Sequence, residues 1–128
     1  MPSLTLQVVP GEFAVCRLLP NVPTPAWADS NLFSSVTRTG DELSIICPAA
    51  QAPADVKHEA GWRLLKFQGP FDFGAVGVMA SVTAPLAAAR VSLLAVATFD
   101  TDYVLLKASQ LDTALRALAA AGHTVRRD

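Results

Sequence analysis

The sequence has little charge, few cysteines and no long apolar runs. Of its 128 residues 16% are charged, and 10 Lys+Arg stand against 11 Asp+Glu, a net charge of -1. This balance argues against a nucleic-acid-binding protein, whose surface usually carries a basic stripe. No apolar run approaches the roughly 18 residues that a membrane span needs. Two cysteines are too few for a disulfide scaffold, and the first residues lack a secretory apolar core. We therefore expect a cytoplasmic protein with free thiols that binds neither nucleic acid nor membrane.

Apolar residues, by contrast, are plentiful. They make up 52% of the chain, which predicts a folded protein with a buried core. A charged fraction of 16% is low beside the roughly 25% that is typical of soluble domains. We therefore expect part of the surface to be covered by a second copy of the chain.

The first half of the sequence is predicted to be mainly β-structure. Alternation and turn residues favour four strands, over residues 4–9, 12–19, 32–39 and 43–47. The dipeptide Pro10-Gly11 separates the first two strands, and Gly40-Asp41 forms the hairpin turn between the last two. Residues 23–28 allow one or two helical turns, and the Ala/Pro-rich residues 48–60 are expected to be a connector.

The second half alternates strands and helices. The pattern predicts strands over 62–68, 91–98, 102–107 and 123–126, and helices over 75–89 and 109–121. Pro85 lies inside the first helix and removes the hydrogen bond to the carbonyl of Ser81, which predicts a kink. Ser109 is expected to cap the second helix. The order β-α-β-β-α-β is that of a ferredoxin-like sandwich, an α+β fold.

A shift of 60 residues aligns the two halves. It places Pro10 on Pro70 and Val36 on Val96, and it matches the strand-turn-strand 35–46 with 95–106. We interpret the chain as tandem ferredoxin-like units with antiparallel sheets, a degenerate unit over 1–60 and a complete unit over 61–128. Chance alignment of two similar hairpins is the alternative.

Residues 69–107 also resemble a known family. The segment APLAAARVSLLAVATFDTDYVLL is similar to the ACT family of small regulatory domains, and FSSVTRTGDELSIICP is similar to the N-terminal partner unit of paired ACT domains. The paired subgroup includes small bacterial proteins and the cytosolic arginine sensors of animals. The resemblance implies a four-stranded antiparallel sheet with two helices, and binding of an amino acid or similar small metabolite between ACT units. With a single pair in the chain, a comparable site implies a homodimer.

The resemblance also implies which residues contact the ligand. They belong to the loop before the first helix, to a pair on that helix and to the following strand-turn: Phe73, Gly74, Ala75, Val76, Gly77, Ser81, Val82, Thr98, Phe99, Asp100 and Asp102. Amide groups at a helix N-terminus suit a carboxylate, and carboxylates such as Asp102 suit an ammonium group.

Each of these residues also has a purely structural interpretation. Both glycines are compatible with tight packing of helix on sheet, Asp100 with a turn, Asp102 with an exposed strand position and the phenylalanines with a core. The Cys and His residues lack metal-ligand spacing, so the thiols are expected to be buried and the imidazoles to lie at the surface. No catalytic constellation, cofactor motif or phosphate loop is present. The sequence thus favours a non-catalytic amino-acid sensor, and the alternative is an interaction module that has lost its ligand and pairs with a regulatory protein.

Overall fold

Each half of the sequence contributes one unit, and the first ten residues belong with the second half. The computed structural model describes residues 2–127. Met1–Pro10 and Arg63–Asp128 form one unit, here called the helical unit, and Gly11–Trp62 form the other, here called the hairpin unit.

Seven strands and two α-helices occur within residues 2–127, which confirms the α+β class. The strands are β1 (Thr5–Leu18), β2 (Ser35–Arg38), β3 (Leu43–Pro48), β4 (Lys57–Phe67), β5 (Leu93–Ala97), β6 (Asp102–Lys107) and β7 (Thr124–Arg126). The helices are α1 (Val78–Ala88) and α2 (Leu111–Ala120), and short 3-10 turns occur at Ala26–Ala28, Ala49–Gln51 and Ala108–Gln110. None of the helices within residues 2–127 is long and apolar enough to cross a bilayer.

The helical unit has the predicted β-α-β-β-α-β order from β4 to β7. Its sheet order is β7-β1-β4-β6-β5, so the first strand of the chain lies between the first and last strands of that motif. The amide of Gln68 donates to the carbonyl of Thr5 at 2.9 Å, and β1 pairs with β7 in parallel. The β5–β6 pair is antiparallel, and Ala97 faces Asp102 at the turn.

One core holds the helical unit together. Both helices pack on one face of the sheet, where they bury Leu6, Val8, Leu65, Phe67, Val82, Leu86, Val91, Val104, Leu106, Leu111, Ala114 and Leu118. The alternation along β4 is clear, since Leu65 and Phe67 are buried while Lys66 and Gln68 are exposed.

Pro85 leaves a carbonyl in α1 without its helical partner, and a histidine supplies the missing donor. Pro85 has no amide hydrogen for the Ser81 carbonyl four residues earlier. The Nε2 of His123 lies 2.7 Å from that carbonyl, and the amide of Leu4 donates to Nδ1 at 3.0 Å. Because Nδ1 accepts, Nε2 carries the proton. The expectation of a surface imidazole is therefore wrong at His123, which is 6% exposed, whereas His58 is exposed.

The hairpin unit is smaller and contains no α-helix within its described residues. Its strands pair in the order β2-β3-β1, and both pairs are antiparallel. One buried cluster of this unit consists of Ala14, Cys16, Ala28, Leu43, Ile45 and Cys47. Phe13 is also fully buried, and its ring meets that of Phe33 edge to face. Ala28 comes from the 3-10 turn Ala26–Ala28, which occupies the place of a first helix in the chain order.

Several element boundaries differ from the predicted ones. β1 is one strand rather than two, because Gly11 adopts φ +86°, a conformation open to glycine, and the strand continues past Pro10. α1 begins at Val78, three residues after its predicted start, because Gly77 precedes it in the left-handed conformation. Ser109 lies in a 3-10 turn and does not cap α2, which Gln110 precedes without a side-chain cap.

The hairpins of the two units correspond, but with a shift of 59 residues rather than 60. Arg38 pairs with Leu43 in the first hairpin and Ala97 pairs with Asp102 in the second. The same shift carries the 3-10 turn Ala49–Gln51 onto Ala108–Gln110. The predicted shift of 60 was therefore wrong by one residue. Because β3 and β6 each bury three consecutive residues, no alternation in the sequence distinguishes the two faces of these strands.

Candidate ligand site

A cavity lies in the helical unit where the loop before α1 meets the β5–β6 turn. Its volume is about 200 Å³, and it is lined by Phe71, Asp72, Phe73, Ala75, Val78, Ala97, Thr98, Phe99, Asp100, Thr101 and Asp102. An adjoining cavity of about 330 Å³ lies over Pro70 and shares the phenylalanines of this group and both loop aspartates. The two cavities together form one depression at this end of the sheet, here called the loop cavity.

Two exposed aromatic rings form one wall of the loop cavity. The rings of Phe73 and Phe99 meet edge to face with centroids 4.9 Å apart. They nevertheless remain 78% and 77% exposed, and Val76, three residues after Phe73, is 89% exposed. Large apolar side chains grouped in this way on a monomer are typical of a surface that contacts a ligand or another protein.

The β5–β6 turn that carries Phe99 is held firmly to the end of β4. Within the turn, the amide of Thr98 donates to the carbonyl of Thr101 at 2.9 Å. The hydroxyl of Thr101 donates to the carbonyl of Phe67 at 2.6 Å, and the amide of Phe71 donates to the carbonyl of Asp100 at 2.8 Å. At Gly69 a Cβ would lie 2.9 Å from that same carbonyl, so the close approach requires glycine. The turn is therefore fixed before any ligand arrives.

The N-terminus of α1 opens beside the cavity. Gly77 precedes the helix with φ +80°, a conformation that glycine adopts without strain, and no side chain caps the first turn. Val78, the first helical residue, lines the cavity. Uncapped amides at a helix start carry positive partial charge and favour a carboxylate. Asp102, half-buried at the start of β6, lies on the cavity wall and can accept a hydrogen bond from an ammonium group.

The structure brings six of the predicted contact residues to this cavity: Phe73, Ala75, Thr98, Phe99, Asp100 and Asp102. Gly74, Val76 and Gly77 belong to the same loop but do not line the cavity. Ser81 and Val82 lie in the interior, 3% and 0% exposed, and the Ser81 hydroxyl donates to the carbonyl of Val78 at 2.7 Å. Within the described chain, that pair faces the core and not the cavity.

The contact residues implied by the resemblance do not include five of the residues that line the cavity. They are Phe71, Asp72, Val78, Ala97 and Thr101. Phe71 and Asp72 carried a usable signal, because an aromatic and an acid beside the glycine loop suit a ligand wall. Thr101 carried none, since its role depends on the buried hydrogen bond to Phe67 across 34 residues.

The two cysteines form a buried pair away from this cavity. Cys16 and Cys47 are free thiols on the neighbouring strands β1 and β3, with exposures of 1% and 0%. Burial, and then the neighbouring Cys47, raise the pKa of Cys16 to about 11, and burial also raises the pKa of Cys47. Such thiols are protonated at neutral pH and behave as small apolar side chains. Within the described residues no three His, Cys, Asp or Glu side chains are grouped as metal ligands would be.

Comparison with known proteins identifies a family for the second half of the chain. Residues 57–120 match the model of the ACT domain. Residues 11–55 match a second model, which describes an N-terminal domain. No curated protein matches the sequence.

Solved structures resemble the whole chain. A protein of Agrobacterium tumefaciens is 39% identical, with a TM-score of 0.95, over 100% of this chain and 96% of that one. A Vibrio cholerae protein of unknown function is 18% identical, with a TM-score of 0.76, over 94% and 91% of the two chains. The regulatory subunit of aspartate kinase from Thermus flavus is 11% identical, with a TM-score of 0.63, over 94% and 99%. At such low identity the last two share the fold only.

Proposed function

Because the chain belongs to the ACT domain family, whose members are regulatory modules that bind amino acids, we propose that it is a non-catalytic cytoplasmic sensor of an amino acid or similar small metabolite. The ligand binds at the loop cavity. A second copy of the chain completes the site, which makes the functional state a homodimer.

The observation that supports this proposal most is the grouping of complementary chemistry at one cavity. Uncapped amides at the start of α1 suit the carboxylate of an amino acid, and the half-buried Asp102 suits its ammonium group. Phe73 and Phe99 offer an apolar surface to the side chain.

The exposure of this wall supports the requirement for a second copy. Phe73, Val76 and Phe99 are each more than three-quarters exposed. Burial of apolar surface is favourable by roughly 25 cal/mol per Å², so covering these side chains would contribute to association. In this arrangement the partner forms the missing side of the cavity.

A thermal-shift screen against the standard amino acids tests the proposal. A ligand that binds only the folded state raises its stability by about 2.7 kcal/mol at 100 times its Kd. For a chain of this size we expect a rise in Tm of roughly 5–10 °C at that concentration. Absence of any shift at 10 mM for every amino acid would contradict ligand binding.

Two variants show whether a shift arises at the loop cavity. Asp102→Asn is expected to abolish the shift, because it removes the charge that holds the ammonium group. Asp41→Asn is the matched control, since Asp41 occupies the exposed turn of the other hairpin. Light scattering after size exclusion, with and without the ligand, tests the dimer.

The exposed aromatic wall also fits the second candidate function, a module that pairs with a regulatory protein and binds no metabolite. That function predicts no thermal shift with any amino acid and a Phe99→Ser variant with unchanged stability. A ligand-dependent shift that Phe99→Ser weakens would exclude it.

A further inference from the structure

A different cavity lies in the same unit and plays no part in the proposed function. Its volume is about 520 Å³, and it is lined by Gln7, Lys66, Gln68, Gly69, Pro70, Asp100, Thr101 and Arg126. This volume falls within the range of small-molecule sites. Only the Asp100–Thr101 turn and Pro70 also border the loop cavity.

Three of the lining side chains, Gln7, Lys66 and Arg126, lie on the face of the sheet that the helices do not cover. Along β1, Leu6 and Val8 are buried in the core of the helical unit, so Gln7 between them points to the opposite face. On β4 the same alternation places Lys66 on that face, next to the buried Leu65. Three neighbouring strands thus present polar side chains side by side.

A cationic side chain lies at each end of this row. Arg126 on β7 pairs in register with Gln7, and Lys66 follows on β4 beyond β1. With strands about 4.8 Å apart, the backbones that carry the two cations are roughly 10 Å apart. Both side chains are exposed, and within residues 2–127 neither forms an ion pair, whereas Arg127 contacts Asp112 at 3.5 Å.

The end of the cavity near the β5–β6 turn has the opposite character. Asp100 contributes the single carboxylate among the lining residues. The turn that carries it is fixed by the hydrogen bonds from Thr101 and Phe71 described above. Anionic groups are therefore favoured between Lys66 and Arg126 and disfavoured beside Asp100.

We propose that this cavity, here called the sheet-face cavity, binds a small organic dianion through Lys66 and Arg126. Arg126 offers a bidentate fork to a carboxylate or phosphate group, and Lys66 offers a point charge to the same group or to a second one. A cavity of this volume suits a metabolite of a few carbon atoms. The shared chemistry is two oxyanion charges on a small molecule, and dicarboxylates and phosphate esters both supply it.

Titration of the ¹⁵N-labelled protein with succinate, and separately with glycerol 3-phosphate, tests this site. We expect saturable shifts of the backbone amides of Gln7, Gln68, Gly69 and Arg126, and no comparable shift at Phe73 or Val78 of the loop cavity. A comparison of the two affinities distinguishes a dicarboxylate site from a phosphate site. Saturable binding of either one supports the proposal.

The double variant Lys66→Gln/Arg126→Gln is expected to lower the affinity at least tenfold, since charge-assisted hydrogen bonds contribute about that factor each. Lys57→Gln/Arg116→Gln removes the same charge from exposed positions elsewhere and is the matched control. Both double variants are expected to melt like the parent, because all four side chains are exposed.

Three results would overturn the proposal. The first is no saturable shift with either compound up to 20 mM. The second is an equal loss of affinity in the control variant, which would mean that net charge alone attracts the anion. The third is a change in oligomeric mass in Lys66→Gln/Arg126→Gln without anion binding in the parent, which would assign this face to a protein contact. Because the amides followed here differ from those at the loop cavity, this test is independent of the proposed sensor function.

Discussion

The two hairpins of the chain are built alike but supported differently. In each turn a threonine amide donates to the carbonyl three residues on, from Thr39 to Glu42 and from Thr98 to Thr101, both at 2.9 Å. After each hairpin a 3-10 turn ends in a glutamine whose side chain donates to the backbone ahead of the hairpin. Gln51 bonds the carbonyls of Trp27 and Asp29, and Gln110 bonds that of Arg90.

The difference lies in what covers each hairpin. In the helical unit α1 and α2 cover β6 with Val82, Leu86 and Leu118. In the hairpin unit the 3-10 turn Ala26–Ala28 takes the place of α1 in the chain order, and no helix within the described residues corresponds to α2. A hairpin motif can thus be retained while one of its helices is reduced to a single turn and the other is missing.

The largest expected effect tests this difference in packing. Leu106 and Cys47 are equivalent by the 59-residue shift, and both are fully buried. Leu106→Ala is expected to cost about 2–5 kcal/mol of unfolding free energy, because it leaves a cavity under two helices. Cys47→Ala removes a single sulfur atom and is expected to cost about 1 kcal/mol. Urea denaturation measures the unfolding free energy of both variants. Equal losses would show that the two buried positions contribute equally to stability.

The second effect concerns the histidine that only the helical unit uses in its core. His123→Ala leaves the Ser81 carbonyl and the Leu4 amide without partners, and the expected cost is about 2–4 kcal/mol. Exposed His58 is the control, and His58→Ala is expected to change stability by less than about 0.5 kcal/mol.

Pro85→Ala makes this prediction sharper. It supplies the Ser81 carbonyl with a helical amide donor, so His123→Ala is expected to cost about 1 kcal/mol less in that background. Strict additivity of the two substitutions in a double-mutant cycle would mean that the histidine does not serve as the substitute donor for the proline.

The third effect compares the two glutamines. Gln51 donates at 2.9 and 2.6 Å to two carbonyls, whereas Gln110 donates at 3.3 Å to one. Loss of a neutral hydrogen bond costs about 1 kcal/mol, so Gln51→Ala is expected to destabilise more than Gln110→Ala. Thermal denaturation ranks the two variants. The reverse order would mean that the 3-10 turn after the hairpin stabilises the helical unit more than the hairpin unit.

Much of the fold was predictable from sequence, because amphipathic patterns are local. The predicted β6 agrees with the structure at both ends, and the helices and the hairpins are where periodicity placed them. The insertion of β1 beside β7 was not predictable, since it pairs Thr5 with Thr124 across almost the entire chain. The buried position of His123 was missed for the same reason, although Pro85 had already indicated an orphaned carbonyl.

The candidate site was predictable in part. The loop and the turn that line the cavity were anticipated as segments, because the resemblance to the ACT family implied them. The orientation of Ser81 and Val82 toward the core was not anticipated, since it depends on how α1 rotates against the sheet. The row of Gln7, Lys66 and Arg126 had no sequence signal at all, because three strands distant in the chain bring it together.

The smallest expected effect at neutral pH concerns how the stability of the hairpin unit depends on pH. The pKa of Cys16 is raised from 9.0 to about 11 by burial, with a further contribution from Cys47. The folded state therefore favours the protonated, neutral thiol. The resulting stability is present in full below pH 9 and is lost as the pH rises through about 11.

In Cys16→Ala this loss is expected to disappear, so that the unfolding free energy falls less steeply between pH 9 and 11 than in the parent chain. The other side chains are the same in both proteins, so the difference between the two pH profiles reports on the thiol pair. Denaturation under a reducing agent keeps both cysteines as thiols throughout. Parallel profiles would mean that water reaches Cys16 and that the cluster around it in the hairpin unit is open to solvent.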